Sequence, residues 1–183
     1  MSESLDAVGG AALALAREAV ERYVRTALVA EPPGHLPPDL RRPAGVFVTL
    51  RVGGRLRGCV GTLAPGRADI AREIVACAIA AASTDPRFSP VRPHELADLA
   101  YEVNVVEPLE TVGGLADLDP RTYGVLVEGE GRRGVLLPDL DGIDTAERQV
   151  EIARAKAGLP AGTTLQLYRF RVRRFREPRE PDG

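Results

Sequence analysis

The segment from Gly45 to Leu63 constrains the fold more than any other stretch, because its residue pattern is that of a β-hairpin. Apolar residues alternate with other residues along 46–52, and a second arm follows the pair Gly53-Gly54. A hairpin joins two antiparallel strands, so this segment favours an antiparallel sheet. The second arm places Cys59 between two glycines, which in a strand indicate a bulge or the close approach of a ligand or another backbone.

The register of this hairpin decides where Cys59 points. A two-residue turn at Gly53-Gly54 places Arg57 opposite Leu50, which mixes charged and apolar side chains on one face. A three-residue loop or a bulge keeps one face apolar, and we favour it because a buried face fixes the register. Its pairs are Val52 with Leu56, Leu50 with Gly58 and Val48 with Val60. The opposite, polar face then carries Thr49, Arg51, Arg57 and Cys59.

The helical spacing of apolar residues predicts two helices in the first half of the chain, over residues 5–30 and 67–83. Gly9 and Gly10 are expected to fray the first helix or delay its start. Cys77 falls within the apolar stripe of the second helix, so we interpret it as a small core residue. The second helix should end before Pro86, because the residue preceding a proline is disfavoured in the α region.

Four further strands and one helix are expected in the second half. Residues 99–106 alternate in the manner of a half-buried strand, and residues 123–137 form a second hairpin. Asp144 is expected to cap a helix that runs to about Ala157. Residues 165–175 are predicted to form one last strand with arginines on one side.

These elements predict an α+β fold with a mainly antiparallel sheet flanked by helices and a smaller appended lobe. The hairpins favour this class over a doubly wound parallel sheet. We expect residues 1–176 to form a single domain of one or two lobes. Residues 177–183 are rich in proline and charge and are expected to form a disordered tail.

Charge and composition argue against several functional classes. Lys and Arg number 24 and Asp and Glu number 26, so no basic excess supports binding to nucleic acid or a membrane surface. RNA binding through the arginine stripe of Arg169, Arg171 and Arg173 is therefore a minor alternative. The sequence contains neither an apolar run of membrane-spanning length nor a secretory signal, and we expect a cytoplasmic protein with reduced thiols.

Cys59 is the strongest candidate functional residue, and the residues around it leave more than one role open. As a nucleophile or redox thiol it would rely on Arg51 and Arg57 to favour the reactive thiolate. It could instead contact a ligand without reacting, or only pack at a narrow point of the sheet. Asp85 is a tentative acid or base and Arg87 a candidate anion binder, although a helix terminus also explains an aspartate there.

The remaining candidates are weaker. Lys156 is the only lysine and a candidate ligand for an anion, although a lysine in the last turn of a helix is also favoured by the helix dipole. The two histidines and two cysteines stand in no zinc-binding spacing. We therefore predict no metal site, and no motif indicates a cofactor.

Six short motifs occur in the order seen in one known family. They are GVFVTL (45–50), LRGCVGT (56–62), DPRF (85–88), YGVLV (123–127), GVLLP (134–138) and KAGL (156–159). On these motifs the chain resembles the AmmeMemoRadiSam system protein A family, the prokaryotic branch of the AMMECR-one domain family. The resemblance extends from about Leu13 to Phe175.

The resemblance implies an α+β domain with a cleft near the cysteine motif and an association with a MEMO-type protein and a radical-SAM protein. It implies no particular reaction. The site residues it suggests are Arg57, Gly58, Cys59 and Gly61, then Asp85 and Arg87, then Lys156. If the protein is an enzyme, we expect thiol-dependent chemistry at Cys59. The competing hypothesis is a non-catalytic ligand-binding or scaffold module whose glycine-flanked strand accepts a ligand or a partner's backbone.

Overall fold

The computed structural model describes residues 2–177, and for residues 2–6 the backbone alone. The helices are α1 (Ser2–Thr26), α2 (Ile70–Ser83) and α3 (Ala146–Lys156). The strands are β1 (Val46–Val52), β2 (Arg55–Gly61), β3 (Leu99–Val106), β4 (Glu110–Thr111), β5 (Gly124–Gly129), β6 (Arg132–Leu136), β7 (Gln166–Phe170) and β8 (Val172–Arg176). They form two four-stranded sheets, in the orders β2-β1-β3-β8 and β4-β7-β5-β6. The predicted α+β class with antiparallel pairing is confirmed.

The chain divides into two compact units. The first comprises the residues up to Val105 and those from Arg174 onward, and the second comprises Val106–Arg173. The first unit therefore contains α1, α2 and most of the sheet β2-β1-β3-β8, and the second contains α3 and the other sheet. Each unit has its own cluster of buried apolar side chains.

The core of the first unit forms because its elements each have an apolar face. Helix α1 buries residues such as Ala12, Ala16 and Val20 at four-residue spacing, and β1 buries the alternate apolar residues Val46, Val48 and Leu50. Helix α2 begins at an N-cap, Asp69, whose side chain accepts the backbone N–H of Arg72 at 2.8 Å. Cys77 on α2 is buried in this core, which confirms its predicted structural role.

The hairpin of β1 and β2 has features of both registers considered for it. The turn is the two-residue one, with Val52 opposite Arg55, so the predicted pair of Val52 with Leu56 is wrong. The register then shifts by one residue between Leu50 and Arg51, and the pairs of Leu50 with Gly58 and Val48 with Val60 are as predicted. The bulge restores the apolar face, because the shifted register places Gly58 and Val60, and no charged residue, opposite the buried Leu50 and Val48.

Helix α1 begins and ends earlier than the sequence predicted. Gly9 and Gly10 lie inside the helix and do not delay its start. A Cβ at Gly9 would lie 2.8 Å from the ring of Phe175, so the missing side chain at Gly9 leaves room for this ring to pack against the helix. The helix ends at Thr26 because Ala27 adopts a φ of 59°, in the left-handed region.

The core of the second unit lies between α3 and the strands β5, β6 and β7. Val125, Val127 and Leu136 of the sheet are buried together with Ala153 of the helix. A Cβ at Gly134 would collide with the carbonyl oxygen of Ala153, so this glycine allows the helix backbone to approach β6 closely. The N-cap of α3 is Thr145 and not Asp144 as predicted, since the Thr145 side chain accepts the backbone N–H of Arg148.

The last predicted strand, residues 165–175, is two strands. Strand β7 pairs with β4 and β5, whereas β8 is the neighbour of β3 in the other sheet. The chain changes sheets near Arg171, so a continuous alternating pattern does not mean a continuous strand. Glu177, which the sequence placed at the start of the tail, accepts hydrogen bonds from Arg17 at 2.8 and 2.9 Å. Residues 178–183 of that predicted tail lie outside the described residues.

Candidate functional site

Cys59 lies on the outermost strand of the first unit's sheet, with its backbone held from outside the sheet. Strand β2 is at the edge of the sheet, and the N–H and C=O of Cys59 bond to side chains outside the sheet. The N–H donates to Oδ2 of Asp85 at 2.9 Å, and the carbonyl accepts from Nη2 of Arg87 at 3.1 Å. The two side chains thus do what a neighbouring strand would do, and they protect this edge from pairing with another chain.

The Asp85 carboxylate is fully committed to this arrangement. Besides the Cys59 N–H it accepts Nε of Arg87 at 3.0 Å, Nη2 of Arg87 at 2.7 Å and the Arg87 backbone N–H at 3.1 Å. Its side chain is only 2% exposed. The hydrogen bonds from the Arg87 guanidinium outweigh burial and hold the pKa of Asp85 well below its usual range. This geometry fits a carboxylate that positions Cys59 better than one that transfers a proton at neutral pH.

A second arginine–carboxylate pair holds the same segment on β2. Nε and Nη2 of Arg57 donate to the two oxygens of Glu95 at 2.7 and 3.0 Å, and Nη1 donates to the carbonyl of Ser89 at 3.0 Å. The Arg57 hydrogen bonds lower the pKa of Glu95. Residues 84–95, which we call the edge segment, are therefore fastened to β2 at two points, Arg57 and the backbone of Cys59.

The thiol of Cys59 lies on the polar face that the sequence predicted. Its sulfur accepts a hydrogen bond from Oγ1 of Thr49, its cross-strand partner, at 3.2 Å. Of the two cations expected to favour the thiolate, Arg57 is paired with Glu95, and Arg51 donates to the carbonyl of Gly54 at 3.2 Å. Cys59 is half-buried, whereas the other cysteine is buried, so Cys59 is the thiol that solvent reaches.

The two glycines beside Cys59 accommodate parts of the chain itself. A Cβ at Gly58 would collide with the carbonyl oxygen of Ala81 on α2, and a Cβ at Gly61 would collide with the ring of Phe47. Both positions thus explain the close approach that the sequence pattern indicated. The neighbours at these positions are a helix backbone and an aromatic ring of the same unit.

The structure places Lys156 in the second unit. It lies at the end of α3 and its Nζ donates to the carbonyl of Val135 on β6 at 3.0 Å. The two histidines, His35 and His94, are exposed. Across residues 2–177 there is no group of three or more His, Cys, Asp or Glu side chains arranged to hold a metal ion.

Glu102 is a further charged group on the thiol's face of the sheet that sequence reasoning missed. The alternation along β3 indicated a solvent-exposed side for it, yet Glu102 and Asn104 are 6% and 0% exposed. Glu102 accepts Nδ2 of Asn104 at 3.0 Å and Nε of Arg176 at 2.7 Å. Burial alone would raise the pKa of Glu102, but the hydrogen bonds from Asn104 and Arg176 and the nearby arginine charges outweigh burial and lower it.

Fold and site together define an α+β protein with two compact units and a cysteine clamped at a sheet edge. The AMMECR1 family model matches residues 13–176. A protein of Thermotoga maritima is 48% identical over 160 residues, which are 86% of this chain and 92% of the relative. A protein of Thermococcus gammatolerans is 40% identical over 186 residues, covering 91% of this chain and 90% of the relative. The chain belongs to the AMMECR1 family.

A solved structure supports the fold directly. The crystal structure of an uncharacterized protein from Pyrococcus horikoshii has a TM-score of 0.86 and 34% identity, and the match covers 95% of this chain and 94% of that one. A Clostridium acetobutylicum protein is 39% identical over 89% of this chain, but the match spans only 35% of that protein. The family's domain therefore also occurs within longer chains. No α-helix among the described residues is long and apolar enough to cross a membrane.

Proposed function

We propose that this protein acts as the AmmeMemoRadiSam system protein A of a cytoplasmic modification pathway, together with a MEMO-type protein and a radical-SAM protein, and that Cys59 is its functional centre. The observation that supports this most is the double clamp on β2. Two arginine–carboxylate pairs fasten the edge segment to β2, one at the Cys59 backbone and one at Arg57, and Cys59 remains half-buried. A fixed backbone with an accessible thiol is an arrangement suited to chemistry at sulfur.

Arg87 is the residue we propose to recognise an anionic group of the ligand. Its side chain is 54% exposed although it is bonded to Asp85 and to the Cys59 carbonyl. Those bonds use Nε and Nη2, so Nη1 is the edge of the guanidinium that a carboxylate or phosphate would meet. The ligand anion would then lie next to the residue that carries the thiol.

The experiment is complementation of a strain that lacks the gene. Wild type, Cys59→Ser and Cys77→Ala are expressed, and whole-cell extracts are compared with the deletion strain by untargeted mass spectrometry of small molecules and of proteins. Cys77→Ala is the matched control, because it removes the buried thiol and keeps the accessible one. We expect the Cys77→Ala extract to resemble wild type and the Cys59→Ser extract to resemble the deletion.

A non-catalytic version of the site has its own observation in its favour, which is the exposure of Arg87. It predicts that Cys59→Ser keeps the wild-type profile while Arg87→Gln loses it. Full retention by both variants, each with a thermal unfolding midpoint near that of wild type, would contradict a role for this site. Affinity capture of the tagged protein tests the partner proposal, with co-purification of the MEMO-type and radical-SAM proteins as the expected result.

A further inference from the structure

We infer that Thr49, Glu102 and Arg176 are positioning residues for the Cys59 thiol, acting as one row of polar side chains across the sheet. The inference rests on the proposed role of Cys59 and identifies what controls its hydrogen bonding. We call Cys59, Thr49, Glu102 and Arg176 the polar row. Each strand of the sheet β2-β1-β3-β8 contributes one member, and all four belong to the first unit.

The backbone register places three of the four residues side by side. Thr49 on β1 is opposite Cys59 on β2 and opposite Glu102 on β3. Directly opposed residues point to the same face of a sheet with their Cβ atoms about 4.5–5.5 Å apart. The Thr49 hydroxyl donates to the Cys59 sulfur at 3.2 Å, and Glu102 accepts Nε of Arg176 at 2.7 Å. The thiol is thus one end of the row and a guanidinium is the other.

Thr49 has one hydroxyl proton, and its two cross-strand neighbours, Cys59 and Glu102, both carry acceptor atoms. A carboxylate is a stronger acceptor than a thiol, so an unoccupied Glu102 would compete for that proton. Glu102 already has other donors, because Asn104 donates to Oε1 at 3.0 Å, Arg176 donates to Oε2, and Nε of Arg174 lies 3.5 Å from Oε1. These donors from β3 and β8 weaken Glu102 as a competing acceptor, and the Thr49 hydroxyl donates to the sulfur.

The hydrogen bond has a direction that matters for thiol reactivity. A donor aimed at sulfur stabilises the thiolate more than the thiol, and the thiolate is the nucleophile. Thr49 is 5% exposed, so water has little access to replace the donor. Thr49 is accordingly the residue whose hydroxyl tunes Cys59, while Glu102 and Arg176 act through it.

Other charged or titratable groups also surround Cys59 and act on any pH profile. They are Arg51 on β1, Arg57 on β2, Asp85 and Arg87 on the edge segment, and the Cys77 thiol of α2 behind the sheet. A test must therefore change the hydroxyl while leaving every charge in place. Thr49→Val does this, because valine has nearly the same shape and is uncharged.

The first experiment measures the pH dependence of iodoacetamide alkylation at Cys59 by mass spectrometry, in a Cys77→Ala background. We expect Thr49→Val to shift the midpoint of the profile to higher pH by about one unit, which makes alkylation about tenfold slower on the acidic side. Thr49→Ser keeps a hydroxyl, so its alkylation midpoint should stay within about 0.3 pH units of that of the parent protein. Thr62→Val is the matched control, since the Thr62 hydroxyl donates to Glu73 at 2.8 Å and not to sulfur.

A purely structural role for Thr49 would move the thermal midpoint in Thr49→Val and leave the alkylation profile in place. That result would overturn the inference, as would an equal shift in Thr49→Val and Thr62→Val. The readout reports on Cys59 alone and requires no pathway output. If Cys59→Ser complements fully while the Thr49→Val shift is observed, the proposed function has failed and the polar row has not.

The second experiment tests whether Arg176 acts through Thr49. Arg176→Gln releases Oε2 of Glu102, which then competes for the Thr49 proton, so the alkylation midpoint should move to higher pH. In the Thr49→Val background the same change should have a clearly smaller effect, because the hydroxyl is gone. Equal shifts in both backgrounds would mean that Arg176 acts only through its charge, and would overturn the coupling.

Discussion

The Asp85 carboxylate accepts the backbone N–H of Cys59 at 2.9 Å, so a residue just after α2 fixes the edge strand that carries the thiol. Arg87, two residues further, donates to the carbonyl of the same cysteine. The helix terminus and the thiol site are therefore one structure. The sequence-based alternatives for Asp85, a helix terminus or a functional residue, do not exclude each other.

Replacing Asp85 tests how much this clamp contributes to stability. Asp85→Asn removes the buried charge that pairs with Arg87 and replaces one of its two oxygens, each of which accepts two hydrogen bonds, with an amide NH2 that faces two donors. Because Arg87 is half exposed and regains water, we expect a loss of about 2 kcal/mol, below the range for a wholly buried pair. Urea unfolding at pH 7 measures it. A change below about 0.5 kcal/mol would contradict the clamp.

Stability should fall steeply in acid. The pKa values of Asp85, Glu95 and Glu102 are all lowered in the folded protein, so the unfolded chain binds more protons as the pH drops. Their contribution is complete above the unfolded carboxyl values of about 4 and is lost progressively as the pH falls toward the folded values. We expect the free energy of unfolding to be level from pH 7 to 5 and to decline below pH 5.

Asp85→Asn provides the control for this pH dependence. Without the ionisable group the decline below pH 5 should be shallower than in wild type, although the variant starts from a lower value at pH 7. Urea unfolding at pH 7, 5, 4 and 3 gives both curves. Parallel curves would show that Asp85 titrates alike in the folded and unfolded chains, which is contrary to its hydrogen bonding.

The sequence predicts which strands form the site better than it predicts which side chains contact each other there. Alternation located β1 and β2 and assigned Cys59 to the polar face, because a period of two is a local property. The bulge was anticipated as one option, but its combination with a two-residue turn was not, because the apolar pattern fixes which residues pair along the strands and does not fix the length of the turn. The pairing of Arg57 with Glu95 joins residues 38 positions apart, and no local pattern carries that information.

Two errors of the sequence-based prediction have the same physical cause. The continuous pattern of residues 165–175 hid a change of sheet, and the alternation of β3 hid the burial of Glu102 and Asn104. Periodicity reports which residues share a face, but it does not report what lies against that face. The polar row could be found only once the order of strands was known.

Alanine at Gly58 should be strongly destabilising. The added methyl would collide with the carbonyl oxygen of Ala81 in the α2 backbone, which can yield only if helix and strand separate. We expect a loss of about 3 kcal/mol by urea unfolding. Gly10→Ala is the control, since a methyl group added there would have no neighbour within 4 Å and alanine is the better helix former. It should stabilise by about 0.5–1 kcal/mol.

The close packing at Gly58 and Gly61 limits which substitutions can test ligand binding. A bulky residue at Gly58 or Gly61 would abolish binding by unfolding the sheet edge, whether or not a ligand lies there. Arg87→Gln is the better probe, because the guanidinium is half exposed. Unchanged stability in Gly58→Ala would show that α2 can move away from β2, and the glycine would then be explained by a ligand instead.

Tyr101 offers a substitution that should stabilise the protein. Its side chain is 1% exposed, burial raises the pKa of its phenol, and its hydroxyl has no hydrogen-bond partner among residues 2–177. Because an unpaired buried hydroxyl is costly, Tyr101→Phe should raise the free energy of unfolding by about 1 kcal/mol. Tyr123→Phe is the control, since that hydroxyl accepts Nη2 of Arg171 at 2.9 Å and its loss should be neutral or destabilising. A clear loss of stability in Tyr101→Phe, measured by urea unfolding, would show that the hydroxyl is bonded in solution.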